Sequence, residues 1–397
     1  MEKIAIITPG ALPVPAVNGG AVENLITYVV ELNEKENKYN IDLYTIYDSK
    51  IDTSIYKNTN IIFVKKNKFA VIKNKILNNI YDLLNVNRML SWYSEEVTKL
   101  LNKSKKAYSK IIVENYMPII GEMYLKYNRF KSTEIYYHMH NTIYDTKRSK
   151  FLFDIIANNC KKILTVSEFI KNYFNSIVKT ENIDVYVNCV DLKKYNYKLN
   201  DNKSDIREEL GINKASYNFI FTGRCTEEKG VMELIKAYKK LYKENKNISL
   251  TICGMKENDF SKKVRQATKD LNNVTLLGYT TLEKMSKYIA ASDSVVIPSK
   301  CDEAFPMVSL EAMAMKKCII SSDSGGLVEP IDNNCGIIVS KNNLDKELFE
   351  AMKKVSCNNR LSSELSENAF NKVYNEKKYN KENYLNELIK IIVEESL

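Results

Sequence analysis

Short β-branched runs alternating with helical stretches predict a doubly wound α/β fold in two domains. Three observations carry this reading. The chain has 397 residues, more than the ~250–300 at which single cores usually stop growing. Its composition is that of a globular protein, 44% hydrophobic and 27% charged with few Gly and Pro. Apolar strand-like runs also recur on both sides of the polar segment "KKYNYKLNDNKSDIREELG", which places a linker near Asp191–Asp205. The expected limits are 1–195 for an N-terminal Rossmann-like domain and 196–375 for a C-terminal one, with an amphipathic helix over 376–397.

The elements follow in order. Strand "KIAIIT" leads through the loop ending in "NGGA" to helix "AVENLITYVVELNEK". The runs "IIFV", "KIIVEN", "EIYYHMH" and "KKILTVS" read as further strands, the last followed by helix "SEFIKNYFNS". In the second half, strand "NFIFTGR" precedes a helix in which Val231, Leu234, Ile235, Tyr238 and Leu241 recur at helical spacing. Strands "ISLTICG", "VTLLGY", "SVVIPS", "KCIISS" and "CGIIV" follow, with helices between most of them. Two facing domains of this kind place a ligand in the cleft between them, at the carboxyl ends of both sheets.

Bulk properties exclude several classes. Eight scattered cysteines without a C-x-x-C pair read as reduced, cytosolic thiols, neither a disulfide framework nor a zinc site. No run approaches the ~18 apolar residues of a membrane span. The N-terminus resembles a signal peptide superficially, but Pro9, Pro13 and Pro15 interrupt it, so it is expected to form a first strand and loop. The net charge of +10 is uneven: Ile61–Lys110 carries ten Lys and one Arg against three acids. Interleaved with Ile, Leu, Phe and Trp92, this segment reads either as a solvated helix face or as a docking surface for an anionic membrane or phosphate-bearing acceptor. Without a nucleic-acid motif beside it, nucleic acid is not an expected partner.

Candidate chemistry lies just after strands. Arg224 and Lys229, in "FTGRCTEEKG", fall between a strand and a helix, where cations and backbone N–H groups together suit an anion. "EAFPMVSLE" also sits between a strand and a helix. Pro306 divides it, putting Glu303 in the loop and Glu311 inside the helix, with unpaired amides expected near Phe305–Val308. The only histidines, His138 and His140, alternate onto one face at the end of a strand. They read as structural histidines, as part of a metal site or as catalytic groups; no third ligand is evident nearby, which weakens the metal reading.

Together these blocks resemble the family 4 retaining glycosyltransferases, which have the GT-B fold. Glu303 and Glu311 fit that family's E-x7-E signature, within "EAFPMVSLEAMAMKKCIISSDSGGLVEPI"; "GRCTEEKG" fits its Arg…Lys pair, and "LLGYTTLEKMSKYIAASDSVVIPS", "LTVSEFI" and "NCVDLKKY" resemble neighbouring blocks. The opening "LPVPAVNGGA" resembles members associated with capsule, exopolysaccharide or spore-coat assembly. The resemblance implies two Rossmann-like domains facing across a cleft, the C-terminal helix returning to the first. It implies that Glu311 binds the ribose hydroxyls, that Glu303 contacts the donor sugar, and that Arg224 and Lys229 hold the diphosphate. Gly20 would let backbone approach that diphosphate. Backbone around Ala304, Phe305, Pro306, Met307 and Val308 would line the junction of sugar and phosphate, backbone near Tyr279 would read the base, and His140 would point at the reacting carbon. Ala304 and Cys189 stand where the family often has Gly, and Cys225 puts a thiol beside Arg224.

The implied reaction moves a sugar from a nucleotide-sugar donor, UDP-linked as the leading expectation, to a glycan or lipid-linked glycan in bacterial surface polysaccharide synthesis. No D-x-D triplet is present, whereas Arg224, Lys229 and helix N-termini can stabilise a departing diphosphate. Neither a metal nor another cofactor is therefore expected. The expected location is cytoplasmic, peripheral at the inner face of the cell membrane. The competing readings are a non-catalytic partner subunit on the same scaffold and a sugar-nucleotide epimerase.

Overall fold

The computed structural model describes residues 1–84, 86–104, 107–126, 133–143 and 146–393. The chain divides into two compact units, one of Met1–Val187 with Tyr384–Leu397 and the other of Asn188–Asn383. The crossing therefore lies at Val187, earlier than the expected limit of 195, and the return falls inside the last helix, after the expected residue 376. The polar stretch Asp191–Asp205 belongs wholly to the second unit. Hydrogen bonding explains why: Val190 N–H donates to the Tyr379 carbonyl at 2.8 Å, and Lys381 N–H to the Val190 carbonyl at 3.0 Å. Lys381 Nζ also reaches Asp191 at 3.0 Å in a buried ion pair. The compositional change is a surface property, whereas these bonds tie the segment to its unit.

The first unit is built on seven parallel strands in the order β3-β2-β1-β4-β5-β6-β7. These are β1 (Glu2–Ile7), β2 (Tyr39–Ile46), β3 (Thr59–Val64), β4 (Lys110–Glu114), β5 (Glu134–Met139), β6 (Lys162–Thr165) and β7 (Ile183–Val185). Parallel strands covered on both faces need continuous apolar runs; Ile4 to Ile7 and Ile111 to Val113 are all buried. Helices α1 (Ala21–Glu36), α2 (Lys68–Leu83), α3 (Trp92–Lys103), α4 (Met117–Lys126), α5 (Lys147–Asn159) and α6 (Glu168–Ile177) connect the strands. At Asn37, φ is 55° and the backbone N–H donates to the Asn33 carbonyl, which closes α1.

The second unit has six strands in the order β10-β9-β8-β11-β12-β13. They are β8 (Tyr217–Phe221), β9 (Ile248–Met255), β10 (Val274–Gly278), β11 (Ser294–Ile297), β12 (Cys318–Ser322) and β13 (Ile337–Val339). All eight residues of β9 are buried. The helices are α7 (Lys203–Glu209), α8 (Val231–Glu244), α9 (Asp259–Thr268), α10 (Leu282–Ala291), α11 (Met307–Ala314), α12 (Leu344–Cys357) and α13 (Asn359–Asn375), and α14 (Lys381–Val393) carries the chain back to the first unit. The periodic residues of α8, Val231 to Leu241, all lie in the core. Each such side chain contributes about 1.5–3 kcal/mol relative to an exposed one.

Each sheet has one point where the strand order reverses, between β1 and β4 in the first unit and between β8 and β11 in the second. Doubly wound sheets bind ligands outside the carboxyl ends of their strands at such points. Gly20 follows β1, and Arg224, Lys229 and Glu303 follow β8 and β11, so these lie at the two reversals, whereas Tyr279 follows β10 at the sheet's edge.

Candidate active site

In the second unit, two glycines bring the loops at the reversal point together. A Cβ on Gly230 (φ +68°) would lie 1.8 Å from the Pro298 carbonyl oxygen, after β11. One on Gly254 (φ +93°) would lie 1.8 Å from the Gly223 carbonyl oxygen, after β8. Neither approach is open to a residue with a side chain, and both φ values favour glycine.

This close packing places Lys229 Nζ 2.5 Å from Glu303 Oε1. Ser299 Oγ donates to the same oxygen at 2.5 Å. The loop holding Glu303 is itself anchored: its N–H donates to the Ser324 carbonyl at 3.3 Å, and its carbonyl accepts from Gly326 N–H at 2.7 Å. Arg224 is not drawn into this pair. Its guanidinium is largely exposed, 3.5 Å from Glu228.

Pro306 caps α11, which begins one residue later, at Met307. The Pro306 carbonyl accepts from both Ser309 N–H (3.3 Å) and Ser309 Oγ (2.6 Å). The amides of Met307 and Val308 open the helix and have no acceptor within it. The buried Phe305 fixes this turn, because its carbonyl takes a 3.1 Å bond from Asn188 Nδ2. Ala304 beside it is half-buried.

Glu311 lies inside α11 and is buried. Burial pushes its carboxyl up to about 7, and the influence of the Tyr195 hydroxyl acts the other way. Tyr279, just past β10, is exposed, with Lys256 Nζ 5.6 Å from its ring centroid. Cys225 is buried and its thiol is pushed up to about 11 by burial. It is therefore protonated at neutral pH and not a reactive thiolate.

Gly20 and His140 belong to the first unit. Gly20 caps α1 at φ 103°. The space its side chain would occupy is taken by the carboxylate of Glu23, whose Oε2 would lie 2.1 Å from a Cβ there. Burial raises the Glu23 carboxyl, while backbone bonds from its own amide and that of Leu12 act the other way. In this structure the clearance at Gly20 thus serves an internal carboxylate.

His138 and His140 do share a face, and a third group joins them, contrary to the sequence expectation. Glu114, at the end of β4, accepts at one oxygen, Oε2, from His138 Nδ1 (2.9 Å) and His140 Nε2 (2.8 Å). All three are buried. Burial raises Glu114, but the two histidines outweigh it and hold the carboxyl at about 2. His140 is pushed down to about 4 by burial and then by His138, against the pull of Glu114. A carboxylate only accepts, so each imidazole donates to it, and neutral His140 keeps its lone pair on Nδ1. These ligand atoms lie within 4.8 Å of one another, yet a tetrahedral ion at ~2.0–2.1 Å would hold N and O ~3.3 Å apart. The observed 2.8–2.9 Å spacings are hydrogen bonds. Asn115 completes the corner: at φ 51° it accepts the His140 N–H on Oδ1 at 2.9 Å. Also within this unit, a cavity of about 780 Å³ opens at the carboxyl ends of β1, β2 and β3, lined by Gly10, Tyr47, Phe63, Lys65, Lys66 and Trp92.

Sequence reading missed Glu114, Ser299 and Tyr195. Glu114 carried a usable signal, a carboxylate closing the apolar strand "KIIVEN", because a buried charge requires partners. Ser299 lies only four residues before Glu303, but a serine ending a strand gave no signal of its own, and Tyr195 acts on a residue distant in sequence.

With two parallel-sheet Rossmann-like units, the chain has the GT-B fold. The structural comparison agrees: over the full length of both chains, the structure resembles Anabaena Alr3699/HepE, solved in complex with UDP and glucose, with a TM-score of 0.76 at 15% identity. Residues 202–372 match the family model described as "Glycosyl transferases group 1". Among curated relatives, the lipopolysaccharide 1,2-N-acetylglucosaminetransferase of Salmonella typhimurium is 25% identical over 246 residues, covering 60% of this chain and 61% of that protein. Spore coat protein SA of Bacillus subtilis is 24% identical over 346 residues, 83% of each. The chain thus spans about three-fifths of the first relative and more of the second.

Proposed function

We propose that the chain is a glycosyltransferase of the hexosyltransferase type, moving a sugar from a nucleotide-sugar donor to a glycan or lipid-linked glycan acceptor with retention of configuration. The observation that carries this reading is the joining of Lys229, Glu303 and the open amides of α11 at the strand reversal of the second unit. A nucleotide sugar needs a cation for phosphate, a carboxylate for sugar hydroxyls and amides for the leaving oxygen. This corner supplies all three. The two glutamates divide the ligand between them: Glu303 takes the sugar hydroxyls and Glu311 the ribose hydroxyls. Arg224 and Lys229 hold the diphosphate, with Lys229 exchanging part of its bond to Glu303 for phosphate. Backbone at Tyr279 reads the base.

As the diphosphate leaves, negative charge grows on its oxygens and positive charge on the sugar ring. Lys229, Arg224 and the Met307 and Val308 amides stabilise the first without a divalent ion. The acceptor hydroxyl attacks the face the diphosphate vacates, and a phosphate oxygen takes its proton. Within the first unit, His140, held by Glu114, offers its Nδ1 lone pair to a ligand. A UDP-linked donor is favoured by the complexes of Alr3699/HepE with UDP-glucose and with UDP and glucose. The similarity to a lipopolysaccharide enzyme and a spore-coat protein supports a role in bacterial surface polysaccharide; the proposed place of action is the cytoplasmic face of the membrane.

A panel of UDP- and GDP-sugars tests this reading by thermal stabilisation and slow donor hydrolysis in excess chelator. One UDP-sugar is expected to raise Tm and to be hydrolysed to a product that first appears with the donor's anomeric configuration. Stabilisation by no member of the panel would overturn the donor assignment, and activity abolished by chelator would overturn the metal-independent step.

A further inference from the structure

The cavity of about 780 Å³ at the carboxyl ends of β1, β2 and β3 takes no part in the donor reading above. Its size falls within the ~300–1,000 Å³ of small-molecule sites. Two aromatic rings line it. Tyr47, the first residue after β2, is 64% exposed, and its ring meets that of Phe63 edge to face, with centroids 5.2 Å apart. Such a contact occupies at most one face of each ring, so Tyr47 keeps an open one. Trp92, the first residue of α3, is half-buried and meets Tyr93 edge to face at 5.6 Å. Tyr93 is firmly seated. Its hydroxyl donates to the Tyr44 carbonyl at 3.2 Å and so accepts from Thr8 at 3.0 Å. Its ring also fills the space beside Gly10, where a Cβ would lie 2.8 Å from it.

The charges of this cavity are of one sign. Lys65 and Lys66 directly follow β3, line the cavity and are exposed. Among the described residues neither has an ion pair or a side-chain hydrogen bond, whereas Lys73, Lys99 and Lys110 of the same unit are all paired. No carboxylate is among the described lining residues. Both acids of the β2–β3 loop are already engaged. Asp48 accepts from Asn18 Nδ2 at 2.7 Å and from the Lys50 amide at 2.9 Å, and Asp52 accepts from the Ser54 hydroxyl and amide at 2.6 and 2.9 Å. An aromatic face is negative and attracts the C–H groups on the apolar side of a sugar ring. An ammonium group is a compact point charge without a fork, so it takes a carboxylate or a phosphate ester alike. The cavity opens at the same end of the sheet as His140, which follows β5.

We propose that this cavity takes the acceptor glycan and selects an acidic one, with a sugar ring against Tyr47 and Trp92 and an anionic group of the glycan paired with Lys65 and Lys66. This deepens the reading above, which leaves the charge of the acceptor open, and rests on it. A neutral glycan would leave both lysines unused, and a small anion would leave the rings unused.

Trp92 is the only tryptophan of the chain, so its fluorescence reports on the cavity directly. The test titrates the full chain with glycans in matched pairs: a glucuronate-containing tetrasaccharide and its carboxyl-reduced counterpart, and cellotetraose with and without a 6-phosphate. In at least one pair the acidic member is expected to shift Trp92 emission and to bind at least tenfold more tightly than the neutral one. That difference should shrink as salt rises, and the pair that responds identifies the anion. Lys65→Gln/Lys66→Gln, at exposed positions, should abolish the preference, while Tyr47→Ala should weaken both members of the pair. All three proteins should be equally stabilised by the donor sugar. Loss of donor stabilisation in the wild type would break the glycosyltransferase reading and leave the glycan preference standing. Four outcomes would overturn this proposal: neither pair giving a tighter acidic member, a preference kept by the lysine variant, Tyr47→Ala binding as tightly as the parent, or inorganic phosphate shifting Trp92 emission as strongly as the acidic glycans.

Discussion

The two units place ionisable residues at the carboxyl ends of their sheets in opposite ways. In the first, Glu114, His138 and His140 are buried and satisfy one another through a single carboxylate oxygen. In the second, Lys229 and Glu303 form one pair at the edge of solvent, Arg224 points outward, and the first amides of α11 have no acceptor in the helix. A closed set fixes the position of His140 and leaves only the second nitrogen of each imidazole to offer, the first being spent on Glu114. An open set can exchange its internal bonds for phosphate and sugar oxygens, which is what charge-assisted recognition requires. Rigidity and exchange are thus assigned to different units.

The largest effect should come from opening the closed set. Glu114→Ala leaves two buried imidazole donors without an acceptor, and unfolding in urea should show a loss of about 2–4 kcal/mol. Because Glu114 is held down to about 2, its contribution is complete above the ordinary carboxylate range and lost as pH falls through about 2. Equal stability of the variant and the parent would mean that the cluster is not closed as described.

A smaller effect separates the two carboxylates of the open set. Glu311 is raised to about 7 by burial, so it is protonated below that pH, and in its proposed role it would accept ribose hydroxyls fully only above it. Donor affinity should rise up to about tenfold per pH unit as pH approaches 7, then level off. The sign for folding is opposite: a raised carboxyl favours the ligand-free protein at low pH, and that contribution is lost as pH rises through about 7. Glu311→Gln should flatten the affinity profile, measured by calorimetry from pH 5.5 to 8.5. An unchanged profile in the variant would remove Glu311 from the ribose.

The open set was largely legible in the sequence because each part sits in a short motif of its own, although Lys229 and Glu303 stand 74 residues apart. Arg224, Lys229, Glu303 and Glu311 each follow a recognisable strand, and Pro306 announces the start of α11. The closed set was not, because Glu114 and the two histidines come from neighbouring strands and meet only when β4 pairs with β5 in register, Glu114 opposite His138. The unit boundary was misplaced for a similar reason, since bonds from Val190 and Asp191 to Lys381 span almost half the chain. Composition showed the Lys-rich segment but not that α2 leaves Ile72, Ile76 and Ile80 exposed, which depends on the bonds of Asn74 to Glu95 and of Asn78 to Leu90.

In the proposed site the Glu303 carboxylate, held by Lys229 and Ser299, grips the donor sugar. The most direct measurement is turnover of the stabilising nucleotide sugar by Glu303→Ala beside its melting curve. A fall of about 10²-fold or more is expected, with Tm close to that of the parent. Full turnover by a folded Glu303→Ala would remove Glu303 from the donor sugar.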